Sequence, residues 1–173
     1  MARLSAAELR ERLRNDLPAA LVEPAPLNLK AAPAHGAQAA GFITTDAVVA
    51  PERLVAAALY LRDTLGYAYL SDIAVVDYLA DGLFELGYRF YHVEGGPSLV
   101  IKTRVPRETP EVPSLTPVWP GANFHEREAF DLYGIIFTGH PFLRRIYLWD
   151  EFEGFPMRKD FPKQGDKYIG ADE

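Results

Sequence analysis

An α+β fold, with an antiparallel-rich sheet packed on helices and followed by an extended C-terminal arm, is predicted by three observations. Successive segments between Tyr67 and Val105 alternate apolar and polar residues with the period of a strand. Segments on either side of them carry helical spacing and stop at a glycine, Gly66 in one case and Gly134 in the other. Beyond Gly134 the chain is aromatic but broken by Pro141, Pro156 and Pro162, which excludes one long helix or strand.

The elements follow in order. Ser5-Ala6-Ala7-Glu8 reads as a capping box, and Leu9 and Leu13 lie four apart in a short helix to about Asp16. Residues 18–40 are rich in Ala and Pro and predict a loosely structured linker, so residues 1–40 form an N-terminal helix and linker. Gly41-Phe42-Ile43-Thr44-Thr45 is a candidate strand that opens an α+β domain over 41–134. Pro51 suits a first helical position, and Leu54, Val55, Ala58, Leu59 and Leu65 continue that helix to Gly66. Tyr69 to Leu79 predicts a strand, Asp81-Gly82 a two-residue hairpin turn, and Phe84, Leu86, Tyr88 and Phe90 the apolar face of a second strand. Leu99, Ile101, Thr103 and Val105 predict a third, after a turn at Gly95-Gly96-Pro97-Ser98.

Five prolines between Pro106 and Pro120 exclude a helix or a central strand there. Asn123 then predicts the N-cap of a helix that ends at Gly134. On a helical wheel Arg127, Glu128 and Asp131 share one side, while Glu126 falls within the apolar arc of Ala129, Phe130, Leu132 and Tyr133. Glu126 is also placed to reach back to the cap, and Arg127 and Asp131 are spaced to pair. Spacing alone allows an ordinary capped surface helix with one ion pair worth a few tenths of a kcal/mol.

The chain has 173 residues, 49% hydrophobic and 24% charged, which is globular composition with room for one domain and an arm. Eighteen basic against 24 acidic residues give a net charge of −6, which argues against nucleic acid as a partner. There is no cysteine, which excludes disulfides, thiolate nucleophiles and Cys-held zinc or iron–sulfur clusters in this chain. No apolar run is long enough to span a bilayer, and charge appears at once after Met1 rather than a secretory signal. The expectation is a soluble, intracellular protein that meets a membrane through partners.

Catalytic motifs fail one by one. His125-Glu126 begins a zinc-protease motif, but Ala129 stands where its second histidine belongs. Gly96-Pro97-Ser98-Leu99-Val100 lacks the closing glycine of a nucleophile elbow, and no phosphate-binding or dinucleotide-binding glycine loop exists. His35, His92, His125 and His140 are not at metal-ligand spacing. What stands out instead is the arm, residues 135–173. Residues 119–173 are under a third of the chain yet hold twelve of its 21 aromatics. Aromatics interleaved with arginines are common anchors of protein contacts, so the arm is expected to lie on another subunit; the alternative is an arm folded back over its own sheet. A rival of a different kind is a freestanding enzyme with Glu126, Asp131 and His140 as acid/base groups.

From Glu126 to Ile146 the sequence, Glu-Arg-Glu with Asp131 five residues, His140 fourteen residues and Arg144-Arg145 further on, resembles a family signature. It is that of the 30 kDa-type subunit of proton-pumping NADH:quinone oxidoreductase, respiratory complex I (the C type of bacteria, or the J type of the photosynthetic enzyme). Glu153 to Pro162 resembles the family's second block, and Tyr69-Leu70-Ser71-Asp72-Ile73 with Asp77-Tyr78 a weaker upstream one. The resemblance covers roughly residues 50–163; Phe155 stands where a His is usual, and Tyr147-Leu148-Trp149 is more aromatic than typical. It implies a peripheral-arm subunit with no cofactor of its own, on the cytoplasmic side of the inner membrane. FMN and the iron–sulfur clusters would sit in partner subunits. The implied partners are the large quinone-site subunit (the 49 kDa or D type) and the iron–sulfur subunits of the peripheral arm. The partner-facing residues assigned on this basis are Glu126, Arg127, Glu128, Asp131, His140, Arg144, Arg145, Trp149, Arg158, Lys159 and Asp160. A ferredoxin-linked photosynthetic complex or a membrane-bound hydrogenase is the alternative assembly.

Overall fold

The computed structural model describes residues 4–27 and 44–162. Its elements are α1 (Ala6–Asp16), β1 (Ala47–Val48), α2 (Leu54–Asp63), β2 (Tyr69–Tyr78), β3 (Leu83–Tyr91), β4 (Leu99–Pro106), β5 (Glu111–Pro113), α3 (Ala122–Tyr133) and β6 (Ile136–Thr138). The α+β class is as the sequence predicts. β2, β3 and β4 form an antiparallel meander, and β1 adds in parallel beside β4 to give the order β1-β4-β3-β2. β5 and β6 pair in parallel as a separate two-stranded sheet.

The alternation in β3 and β4 decides which face is inside. Phe84, Leu86, Tyr88 and Phe90 are buried, and so are Leu99, Ile101, Thr103 and Val105. They meet Leu9 and Leu13 of α1, Leu54, Ala57, Ala58 and Leu61 of α2, and Ala122 and Ala129 of α3 in one core. Fully burying a side chain of this size contributes about 1.5–3 kcal/mol, so the meander's inner face is the main source of stability.

The local signals at the helix starts hold in part. Ser5 and Glu8 form the expected capping box, with each side chain on the other's backbone N–H. Pro51 opens a single 3₁₀ turn that feeds α2. Asn123 does not cap α3, however: Gly121 stands at the N-cap without a side-chain bond, and Asn123 lies inside the first turn. Backbone bonds from the Ala122 and Asn123 N–H groups to the carbonyls of Trp119 and Pro120 wind the chain before Asn123, and Glu126 turns away from the cap toward the segment before the helix.

Other expectations change where long-range contacts intervene. Residues 18–27 are not loose: Ala20 and Leu27 are buried, and Val22 N–H bonds the carbonyl of Val48. The rest of the expected linker and most of the candidate strand at 41–45 lie outside the described residues; the strand found nearby is β1. Asp81-Gly82 is not a two-residue hairpin turn. Leu83 pairs with Tyr78, and the four residues between make a 3₁₀ turn closed by Gly82 at φ 66°.

Gly134 ends α3 at φ 75° and lies under the Phe155 ring, so a Cβ there would come 2.5 Å from Phe155 Cε2. Gly134→Ala is expected to lose about 2 kcal/mol, from left-handed strain plus displacement of the ring. Urea denaturation of the two proteins measures it.

After Gly134 the chain stays with the domain. Ile135 and Phe137 belong to the core, and β6 pairs with β5. Residues 139–162 then run without helix or strand across α3 toward the end of β2.

Candidate functional site

Three buried or half-buried carboxylates organise this stretch. The first is Glu126, which has no exposed surface. Its position on the apolar arc of α3 aims it at the segment 114–116. There Ser114 Oγ donates to Oε2 at 2.5 Å, the Leu115 N–H to Oε1 at 2.6 Å, and Thr116 Oγ1 to Oε2 at 3.0 Å. His140 brings Nε2 to 3.9 Å from Oε2, with its imidazole fully buried. The Phe142 N–H donates to His140 Nδ1, so a neutral His140 carries its proton on Nε2, facing the carboxylate. Burial pushes the Glu126 carboxyl above the usual glutamate range, against the pull of Ser114, Leu115, Thr116 and His140. Burial also drives the Tyr88 hydroxyl well up, and the Glu126 charge adds to that.

The second is Asp131, also without exposed surface. The wheel puts it on the polar side with Arg127 as partner, but the two do not pair. Arg145 Nη1 reaches Asp131 Oδ1 at 2.8 Å. Three successive backbone N–H groups, of Ile146, Tyr147 and Leu148, donate to Oδ2 at 3.0, 2.7 and 3.0 Å. A run of N–H groups converging on one oxygen is an anion nest, here filled by the chain's own carboxylate. Burial raises the Asp131 pKa, but Arg145 and the three amides outweigh it and hold the carboxyl below the usual aspartate range. Arg127 instead donates to the carbonyls of Arg144 and Arg145, at 3.1 Å each. Arg145 spends its other nitrogen on the carbonyls of Phe152 and Gly154.

The third is Asp77, at the end of β2. Arg107 binds it through Nε at 2.8 Å and Nη2 at 3.1 Å, and reaches Asp160 at 2.6 Å. The Lys159 N–H donates to Asp77 Oδ2 at 2.9 Å. Arg158 donates to the Tyr133 carbonyl at 2.7 Å and lies over the rings of Phe84 and Phe155. Burial, with Arg107 close by, lowers its pKa from the arginine value.

The sequence-assigned residues therefore separate into two groups. Glu126, Asp131, His140, Arg145 and Arg158 turn inward, and Arg127 and Asp160 are at least partly engaged with the chain's own groups. Arg144 and Trp149 are exposed, the latter 63%. Glu128 and Lys159 form no ion pair among the described residues. Sequence reasoning missed Ser114, Thr116 and Arg107, which carry no helical or strand signal. It also missed the exposed Phe124, Phe142 and Tyr147. Asp77 belonged to a recognised block without a role attached. Among the described residues no three His, Asp or Glu side chains gather closely enough to hold a metal.

The class this defines is an α+β domain whose C-terminal segment is seated on its last helix by buried carboxylates, with aromatic and cationic side chains left outside. The chain belongs to the family of the 30 Kd subunit of respiratory-chain NADH dehydrogenase, whose model matches residues 47–167. The C 2 form of the C-type subunit of NADH-quinone oxidoreductase from Rhizobium etli (strain CIAT 652) is 49% identical over 122 residues, which are 69% of this chain and 65% of that one. The C-type subunit from Roseiflexus castenholzii (strain DSM 13941 / HLO8) is 45% identical over 128 residues, covering 72% of this chain and 70% of that one. The chain thus spans roughly two thirds of the length of these relatives. Among solved structures, a chain of the membrane-bound sulfane sulfur reductase, an archaeal respiratory membrane complex, superposes with a TM-score of 0.62 at 26% identity, covering 68% of this chain and 71% of that one. The α1 region lies outside the family match.

Proposed function

We propose that this chain is a non-catalytic peripheral-arm subunit of a proton-translocating NADH:quinone oxidoreductase, docked on the large quinone-site subunit. In that role it supports electron transfer from NADH to quinone without handling electrons itself. FMN and the iron–sulfur clusters belong to partner subunits, and the chain sits on the cytoplasmic side of the inner membrane through those partners. No helix among the described residues is long and apolar enough to cross a membrane.

The observation that carries this reading is the division of labour around α3. The acids that could serve an acid/base enzyme, Glu126 and Asp131, are buried and fully engaged in holding loops, while Phe124, Phe142, Tyr147 and Trp149 are 56–65% exposed. An exposed aromatic surface on a rigid base favours a protein contact over chemistry. The arm proper then begins near Gly139, because Ile135 and Phe137 are part of the core.

Co-expression of the full chain with the large quinone-site partner is expected to give a complex that survives salt washing. Removing residues 139–173 should abolish it, and equal binding by the truncated chain would overturn the docking role of the arm. The likeness to the sulfane sulfur reductase chain supports a second reading, a subunit of a membrane-bound complex with a different electron acceptor. The protein composition of the native complex separates the two.

A further inference from the structure

The outer side of α3 and of the loop it holds carries side chains that neither the core nor the buried carboxylates use. Phe124 is 65% exposed and Phe142 56% exposed. Each has a guanidinium against its ring: Arg127 lies 6.0 Å from the Phe124 centroid and Arg144 4.4 Å from that of Phe142. Arg127 Nε also donates to the Arg144 carbonyl at 3.1 Å, which joins the two pairs into one continuous surface. Neither guanidinium has a carboxylate partner among the described residues. Asp131 of α3, the acid spaced to meet Arg127, is closed off by Arg145 and three amides.

Such a surface is preorganised for burial. A guanidinium stacked on a ring is weakly hydrated and has lost much of its rotamer freedom already, and Arg127, which spends Nε and Nη2 on the Arg144 and Arg145 carbonyls, still carries its charge without a carboxylate. Covering two aromatic rings releases apolar area, but covering the arginines without carboxylates would leave two charges unpaired, a penalty that rules out a purely apolar occupant. The chain as a whole is acidic, at −6, so this cationic spot stands against its background and steers an acidic partner to one place.

We propose that Phe124, Arg127, Phe142 and Arg144 form the docking surface for a protein segment of a sister subunit that sets carboxylates against the two guanidiniums and apolar side chains between the rings. This deepens the subunit reading and rests on it. The buried carboxylates act here as positioning groups. Glu126 and His140 fix the turn that carries Phe142, and Asp131 fixes the loop that follows Arg144.

The test uses the full chain in the assembled oxidoreductase, with a photoreactive benzophenone side chain replacing Phe142 in one preparation. Irradiation is expected to cross-link position 142 to an Asp- or Glu-bearing peptide of a sister subunit. In parallel, R144E is expected to lower retention of the chain in the complex about tenfold after a salt wash, with R144K intermediate. Arg144 is exposed and its guanidinium lies on the exposed Phe142 ring, so the melting curve of the free R144E chain should match wild type; F142S gives a second, uncharged probe of the same surface. Retention of R144E and F142S at wild-type levels overturns this surface while leaving the subunit reading standing. Failure of the wild-type chain to co-purify with the oxidoreductase overturns the subunit reading and this proposal with it. Cross-links confined to lipid, together with R144E-sensitive binding to anionic vesicles, would assign the surface to a membrane and overturn the proposal.

Discussion

Glu126→Ala is expected to destabilise the chain by about 3–5 kcal/mol, the range for removing one member of a buried, hydrogen-bonded charge cluster. The loss has three parts. The Leu115 N–H and the Ser114 and Thr116 hydroxyls lose their acceptor in a site closed to water. The removed side chain leaves a cavity beneath α3. His140 loses the group that its Nε2 faces. Glu126→Gln keeps the volume and one acceptor oxygen, and its amide can donate to the two hydroxyls, so a loss of about 1–2 kcal/mol is expected. Urea denaturation of the three proteins measures both, and Glu128→Ala, which removes a half-buried side chain with no ion pair among the described residues, should stay within about 0.5 kcal/mol of wild type.

The same carboxyl gives the chain a distinctive pH response. Its folded pKa is raised, so the folded state holds the proton more tightly than the unfolded chain does. The associated stability is fully present below the unfolded glutamate pKa and disappears as pH rises through the folded value. Glu126→Gln should remove that fall. Asp131 acts in the opposite sense: its folded pKa is depressed, so its contribution is present above the unfolded aspartate pKa and is lost as pH drops through the folded value.

Asp131→Asn is expected to release the loop that follows Arg144 while the core stays folded. The amide replaces one of the two carboxylate oxygens by a donor, which then faces either Arg145 or the amides of Ile146, Tyr147 and Leu148. Donor against donor cannot be satisfied in a buried site. Hydrogen exchange should show the amides of Ile146–Leu148 losing protection by about 100-fold, with little change in β3 and β4. The effect is local because residues 146–148 make no backbone ladder with the sheet, and their three N–H groups converge on the Asp131 carboxylate.

Much of the fold was legible in the sequence because it rests on local signals. The two-residue period of Phe84–Phe90 and Leu99–Val105, the Ser5/Glu8 box and the glycine after α3 depend only on neighbours along the chain. Where the sequence reading failed, a distant partner had changed the local preference. Asn123 is a good cap, but the turn over Trp119–Asn123 starts the helix before it, and Glu126 reaches Ser114–Thr116 rather than the cap. Arg127 and Asp131 have ideal spacing for an ion pair, yet three amides and Arg145 from the following loop compete for the same carboxylate and win. Residues 18–27 look like linker because their order comes from pairing with β1, a contact invisible in their own composition.

The site was legible in outline only. The Glu126–Asp131–His140–Arg145 pattern marked the right stretch of chain, but composition could not say which of those residues face inward. Burial of Asp131 arises because the arm crosses the polar side of α3 and converts it into a second interior face. The exposed phenylalanines carry no pattern of their own, since an aromatic residue in a proline-broken segment is equally compatible with core or surface.

The most direct measurement is the amount of this chain recovered in intact oxidoreductase when Asp131 is replaced by Asn, with the melting of the free chain's core followed alongside. If buried carboxylates hold the arm in its docking shape, recovery falls about tenfold while the core melts as in wild type. Undiminished recovery from a chain whose Ile146–Leu148 amides have lost their protection would contradict that claim.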